Sequence, residues 1–352
     1  MMSLACLPRL VLALAIATST MISAHAVTID WVTVGDPGNA ADTTGYGAVS
    51  DVFKISKYEL TIQQYTDFLN SVAATDPYSL YNTSMATNPN IAGISRSGTS
   101  GGYSYSVIGP SGTTPAGASS PGNRPITFVS WWDAARFANW MHNGQGAGST
   151  ETGAYTLGGA TSGNAPAVNP GATFYIPTEN EWYKAAYFSP LANFGSAGYY
   201  RIATQTNVDP PNNIGSSFSA ANFFRGQFGY SVTQSTSYSF SQNYLTDVGA
   251  FTNAASYYGT FDQSGNVYEW NDLTGAAGSS RGIRGGSWAN EFFPAESLSS
   301  SKRYTTDAST EAQQYGFRLA SPVAVPEPST WVMGLAGTAC AGWQALRRRK
   351  RS

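Results

Sequence analysis

Cysteine is almost missing. The chain of 352 residues has two, Cys6 and Cys340, and both fall in apolar runs at its ends. Residues 27–325 hold none. That excludes an internal disulfide, a zinc–thiolate site and a cysteine nucleophile from the central part. Histidine is as scarce, with only His25 and His142. A histidine-based metal centre is hard to build from one central histidine, and a Ser–His–Asp triad would have to use His142. That residue closes "SWWDAARFANWMHN". There a histidine has a simpler task, against the last carbonyls of a helix.

Charge is thin as well. Only 11% of the residues are charged, and residues 27–325 carry 13 basic and 20 acidic side chains, a net charge of −7. Binding to phosphate backbones needs a basic face, so no nucleic-acid partner is expected. No P-loop pattern occurs. "GQGAGS" at Gly144 follows no strand and lacks the dinucleotide spacing, so it reads as a loop.

The two ends are processing or membrane segments. "MMSLACLPRLVLALAIATSTMISAHA" has Arg9, an apolar run and the small-residue pattern Ala24-His25-Ala26. It reads as a secretory signal peptide over residues 1–26, cut after Ala26. At the other end, Ser329–Leu346 is an apolar run just long enough to span a membrane. Five basic residues, Arg347 to Arg351, follow it and read as a cytoplasmic tail over residues 347–352. The domain between, residues 27–320, then lies on the far side of the membrane. A proline-bearing linker, residues 321–328, joins it to the span.

Aromatic residues make up 13% of the chain and 37 residues are glycine, enough for a core but with many loops. Three helix starts are marked. "TIQQYTDFLNSV" opens on the capping-box pair Thr61 and Gln64 and puts Tyr65, Phe68, Leu69 and Val72 on one face. "SWWDAARFANWMHN" opens on Ser130 and Asp133, and "TENEWYKAAYF" on Thr178 and Glu181. Phe53–Leu60, Phe174–Ile176 and Gly316–Ala320 read as short strands. Ser95–Asn123 and Gly144–Gly171, rich in Gly, Ser, Thr and Asn, read as long surface loops. The expected class is α+β, poor in regular structure.

Six blocks occur in order: "KYELTIQQYTDFLN", "RPITFVSWWDAARFANWM", "YIPTENEWYKAAY", "DVGAF…YGTFDQSGNVYEW", "RGGSW" and "YGFRLA". Together they resemble the formylglycine-generating, sulfatase-modifying factor family, from about Val32 to Ala320. The resemblance implies a compact C-type lectin-like fold with long loops. The tail, with Pro326-Glu327-Pro328, an apolar span and a basic end, resembles a PEP-CTERM sorting signal. That implies a Gram-negative bacterium, an exosortase that processes the tag, and export to the surface or an extracellular polysaccharide matrix.

Enzymes of the family oxidise a substrate cysteine to formylglycine with oxygen and copper held by two cysteines after the GGS-aromatic motif. In "GGSWANEFFPAESLSSSKRY" the first position is Asn290, and Pro294 and Ala295 stand near the second. None can hold Cu(I), which prefers thiolates. No copper is expected, and the domain reads as a non-catalytic module for a polysaccharide or protein ligand. An oxidase or other enzyme with a replaced centre is the alternative. Trp288, Phe292 and Phe293 surround the place; exposed rings there could stack on sugars or peptides, and buried rings would be core.

The acids cluster in "YGTFDQSGNVYEWND", residues 258–272. Asp262 and Glu269 could be a general acid and base. The stretch is not an EF-hand, because Val267 occupies the glycine position. The resemblance implies a structural calcium held by the side chains of Asp262 and Glu269 and the carbonyls of Gly265 and Val267. A metal-free polar turn is the plainer reading. The family's second calcium would use Asn222 and the Phe223 carbonyl, with Gln242 or Asn243 near the position of the expected acid.

Overall fold

The computed structural model describes residues 26–114, 120–216, 219–289 and 294–323. Asn290, Phe292, Phe293, the apolar run 329–346, the basic tail and all but the last residue of the signal peptide lie outside the described residues. Among the described residues no helix is long and apolar enough to cross a membrane.

The three marked helices form where expected. Helix α1 is Ile62–Val72, with a reciprocal capping box between Thr61 and Gln64. A one-turn helix α2, Ser84–Thr87, follows. Helix α3 is Trp131–His142, boxed by Ser130 and Asp133, and α4 is Glu179–Tyr187, boxed by Thr178 and Glu181. Each box satisfies backbone donors that the first helical turn leaves orphaned. Helix α1 buries Tyr65, Phe68 and Leu69 as its spacing requires; Val72 is half-buried. Helix α3 is buried on all sides, every residue but His142. A helix enclosed on every side must partner its polar residues. Arg136 forks onto Glu151 at 2.8 and 3.0 Å, and Asn139 donates to the carbonyls of Thr150 and Tyr155. These two side chains pin the loop after α3. His142 takes Thr173 on its Nδ1 (2.8 Å to the hydroxyl, 3.1 Å from the amide), which anchors the loop at Thr173 to the end of α3.

The strands are short. β1 (Trp31–Val34), β2 (Phe53–Ser56) and β11 (Ala320–Pro322) make one antiparallel sheet with β2 central. A second sheet has the order β10 (Tyr315–Gly316), β7 (Tyr268–Asn271), β8 (Ser280–Arg284), β9 (Tyr304–Asp307). Two hairpins stand apart, β3 (Ile94–Ser97) with β4 (Ser104–Val107), and β5 (Phe188–Asn193) with β6 (Ser196–Tyr199). A last short helix, α5, is Pro294–Ser297.

Three strand expectations need correction. The first strand stops at Ser56 instead of Leu60, and the Ser56 and Lys57 carbonyls are taken by the Arg318 guanidinium. Phe174–Ile176 is not a strand. Tyr175 forms an isolated bridge with Ala320, and the Ile176 amide goes to the Tyr155 hydroxyl. Gly316–Ala320 splits between two sheets, because between them Phe317 turns into the core and Arg318 into a group of acids. The hairpin β3–β4 lies inside what reads as loop.

The main core packs α1 and α3 against the sheets. Phe137 meets Phe68 and Phe317 edge-on, at 5.3 and 5.6 Å between centroids. The α+β expectation with long loops and little regular structure holds.

Candidate functional site

The stretch 258–272 is a bent loop feeding into β7. Asp262 and Asn266 hold φ values of 63° and 61°, a left-handed backbone that Asp and Asn tolerate better than most residues. Gly265, at φ 97°, could be nothing else, since a Cβ there would lie 2.4 Å from the Asn222 carbonyl oxygen.

The loop turns its polar groups inward. Glu269 is 0% exposed and Asp262 8%. Glu269 Oε1 accepts from Arg318 Nη2 at 2.6 Å, and Oε2 accepts from Arg318 Nε and from Trp182 Nε1 at 2.7 Å. Arg318 also donates to the carbonyls of Ser56 and Phe261. Asp262 Oδ2 accepts from the Gly249 amide at 2.6 Å. Asn266 accepts on Oδ1 from Thr246 and Asn222 and donates to Glu59 Oε2 at 2.8 Å. The other oxygen of Glu59 accepts from the Val267 amide.

So three buried carboxylates, Glu59, Asp262 and Glu269, surround one guanidinium, Arg318. Burial pushes Glu59 well above the usual carboxylate value, and the charges of Asp262 and Glu269 add to it. Burial pushes Asp262 up to about 6, against the Gly249 amide and Arg318, which favour its charged form. Asp272 belongs to a separate knot. Its Oδ1 accepts from Trp131 Nε1 at 2.5 Å and Arg281 Nε at 3.1 Å, and its Oδ2 from the Tyr155 hydroxyl at 2.7 Å. Burial pushes this carboxyl up to about 6 too.

A general acid or base must reach a substrate proton. Asp262, Glu269 and Asp272 are enclosed and held by protein donors. The arrangement suits fold support, not acid–base chemistry. A cation would have to share this site with Arg318: hard oxygens suit calcium, but both oxygens of Glu269 already accept from Arg318 and Trp182, and burial favours the neutral form of Glu59. Among the described residues no three His, Cys, Asp or Glu side chains converge as metal ligands. A cation here would therefore depend on the mixed set of Asp262 and Glu269 side chains and Gly265 and Val267 carbonyls. The second set is committed as well. Asn222 Nδ2 donates to the Tyr244 carbonyl and Asn266, and the Phe223 carbonyl already accepts from Asn212 Nδ2 and Ser231 Oγ. A cation at Phe223 would have to displace them. Gln242 and Asn243 donate to the carbonyls of Thr113 and Ala92, tying loops together.

Glu59 and Arg318 are the residues that sequence reasoning left out of this group. Both stand inside quoted blocks, "KYELT" and "YGFRLA". A charged residue between apolar neighbours was the available signal.

The aromatic region near the expected thiol positions is ordered around Trp288, which is 1% exposed. It stacks on Tyr244 at 5.0 Å and 8°, and Tyr244 stacks on Tyr238 at 5.7 Å and 11°. Phe240 meets Tyr238 edge-on and is 81% exposed. The rings thus form a column from the core to the surface. Ala295 is half-buried against Ile202, Phe223 and Leu298. A cleft of about 600 Å³ opens elsewhere, between residues 36–43 and the β5–β6 hairpin. Its carboxylates already have partners, since Asp42 accepts from Tyr183 and Thr43, and Asp36 from Tyr258.

The family model described as sulfatase-modifying factor enzyme 1-like domain matches residues 37–323. The PEP-CTERM protein-sorting motif matches residues 324–350. No curated protein matches the chain. Among solved structures the chain is similar to Treponema denticola variable protein 1, with 17% identity, a TM-score of 0.46, and 86% of this chain and 98% of that one covered. It is also similar to CarF (19% identity, TM-score 0.43, 85% and 100% covered). A third likeness is PvdO from Pseudomonas aeruginosa (18% identity, TM-score 0.40, 84% and 92% covered).

Proposed function

Because the chain belongs to the sulfatase-modifying factor enzyme 1-like family and ends in a PEP-CTERM sorting motif, we propose that it is a non-catalytic member of that family, exported to hold a ligand at the cell surface. The sorting motif implies recognition by an exosortase-type enzyme and surface sorting in a Gram-negative bacterium. Before processing, the run 329–346 anchors the chain in the membrane. The ligand is an extracellular polysaccharide or a protein.

The observation that carries this reading is the ring column. The aromatic residue of the "GGSW" motif packs into stacked rings that lead out to exposed Phe240, and residues 27–325 supply no thiol for copper. An exposed ring offers a face for a sugar or peptide. Two assays test it. Oxygen uptake with copper and a cysteine-containing peptide is expected to stay at background; sustained turnover would restore the oxidase alternative. Binding on a glycan or peptide array is expected to fall at least tenfold in Phe240→Ala, and equal binding would move the ligand elsewhere.

Calcium at Asp262, Gly265, Val267 and Glu269 belongs to the same proposal. The buried Asp262 carboxyl, set against the Gly249 amide, supports it. Calcium at a hundredfold excess over its dissociation constant should stabilise the wild-type domain by about 2.7 kcal/mol. Glu269→Ala or Asp262→Ala should abolish most of the rise in melting midpoint. The sign with pH follows from Asp262. Its carboxyl is raised to about 6 in the folded state. Without a cation, the stability it contributes is therefore present below the usual carboxylate value and lost as pH rises through about 6. Calcium must displace that proton, so the calcium increment should be small near pH 5 and grow toward pH 7. Melting curves in calcium and in chelator that coincide at every pH would remove calcium from the proposal.

A further inference from the structure

Val27 is the residue after the expected cut, and its backbone is held by a side chain on both polar groups. The Val27 amide donates to Gln145 Oε1 at 2.5 Å, and Gln145 Nε2 donates back to the Val27 carbonyl at 2.9 Å. One primary amide thus reproduces the pairing of a strand ladder. The Val27 side chain is 7% exposed and belongs to the main core cluster, while Ala26 is exposed. The next carbonyl, of Thr28, accepts from Gln64 Nε2 at 2.9 Å. The chain therefore passes from the surface into the core at the bond between Ala26 and Val27.

Gln145 is an odd residue for its place. It lies just past the end of α3, with its amide on the Trp140 carbonyl, and holds φ 62°. Left-handed positions after a helix belong to glycine or asparagine by preference. Backbone strain of this kind persists where the surroundings over-determine it. Here the reward for glutamine is the clamp on Val27. The last carbonyls of α3 also give this end of the helix a partial negative charge.

We propose that Gln145 is the docking site for the α-ammonium group of Val27, released when signal peptidase cuts after Ala26. This rests on the signal-peptide reading of residues 1–26. In the cut, water adds across the Ala26–Val27 peptide bond. Its hydroxyl ends on the Ala26 carboxyl group, which leaves with the signal peptide, and its proton ends on the Val27 nitrogen. A second proton from solvent makes that nitrogen an ammonium. An uncharged amide bearing one hydrogen becomes a cation bearing three. One hydrogen stays on Gln145 Oε1 in a charge-assisted bond, about twice as strong as the neutral one. The contact is half-buried, so the other two reach water. Maturation thus tightens the attachment of the first residue and shields it from exopeptidases.

The test starts with the exported protein. N-terminal sequencing is expected to read Val27-Thr28-Ile29. A broad aminopeptidase is then expected to release Val27 at least tenfold faster from Gln145→Ala than from wild type. A chain beginning at Ala26, otherwise mature and full length, serves as an internal control that needs no destabilising substitution. The enzyme should remove Ala26 quickly and stall at Val27. A mature N-terminus at another residue would overturn the processing half. A start at Val27 with digestion running through Val27 and Thr28 as fast as through Ala26 would overturn the clamp.

Discussion

Arg318→Leu is expected to cost about 3–5 kcal/mol, the range for breaking a buried ion pair by removing one partner. The guanidinium is 0% exposed and spends its hydrogens on Glu269 and on the carbonyls of Ser56 and Phe261. Leucine fills much of the volume and satisfies none of these. Glu59, Asp262 and Glu269 would then share a buried site without a counter-charge. The carboxyls of Glu59 and Asp262, already raised by burial, would be raised further, so part of the loss should return as pH falls from about 7 to about 5. Arg318→Lys keeps the charge but loses the fork, and should fall between. Urea unfolding of the three proteins at both pH values measures this. A leucine variant within about 0.5 kcal/mol of wild type at neutral pH would show that the acids are already neutral and that Arg318 is not their support.

Asp272→Ala is the second large effect, expected at about 3–4 kcal/mol by the same logic. One carboxylate joins three parts of the fold: Trp131 at the start of α3, Tyr155 in the following loop and Arg281 on β8. Arg281 is 1% exposed and lies over the Trp131 ring, 4.5 Å from guanidinium carbon to centroid. It keeps the carbonyls of Gly278, Ala165 and Pro166 but loses its counter-ion. Asp272→Asn retains an acceptor for one donor and should cost about half as much. Near-ultraviolet circular dichroism should change with the alanine variant, because Trp131 loses its indole partner. An unchanged spectrum with unchanged stability would mean that the knot is redundant.

The helices were legible because capping is local. Thr61 and Gln64, Ser130 and Asp133, and Thr178 and Glu181 sit three residues apart, and each pair closes in the structure as its spacing requires. The strands were not, because their partners are remote and each is too short to show a period. β4 "SYSV" alternates, with Tyr105 buried between exposed Ser104 and Ser106, but only over four residues, and in β3 "ISRS" Arg96 follows Ile94 on the same face. Much of the backbone is satisfied by side chains instead of ladders, and no periodicity marks an asparagine that will do this. Asn139 holds the backbone of Thr150 and Tyr155, and Asn266 bridges Glu59, Thr246 and Asn222. The acids of residues 258–272 were legible as a group, while their inward direction was not. That direction depends on Arg318 and Glu59, 49 residues beyond Glu269 and 207 residues before Asn266. Trp288 was open to either reading, surface or core, until Tyr244 was seen stacked upon it.

The pairing of β11 with β2 sets an order of events. Ala320 sits opposite Ile55, and Pro322 opposite Phe53. The sorting motif begins at residue 324, directly after this strand. The sheet that contains the domain's first strands therefore cannot be completed until almost the whole domain has been delivered across the membrane. Once it closes, the motif's Pro326 stands four residues past Pro322, no more than about 14 Å of extended chain. An exosortase-type enzyme that recognises the motif after the sheet has closed would work within that short reach of the folded domain.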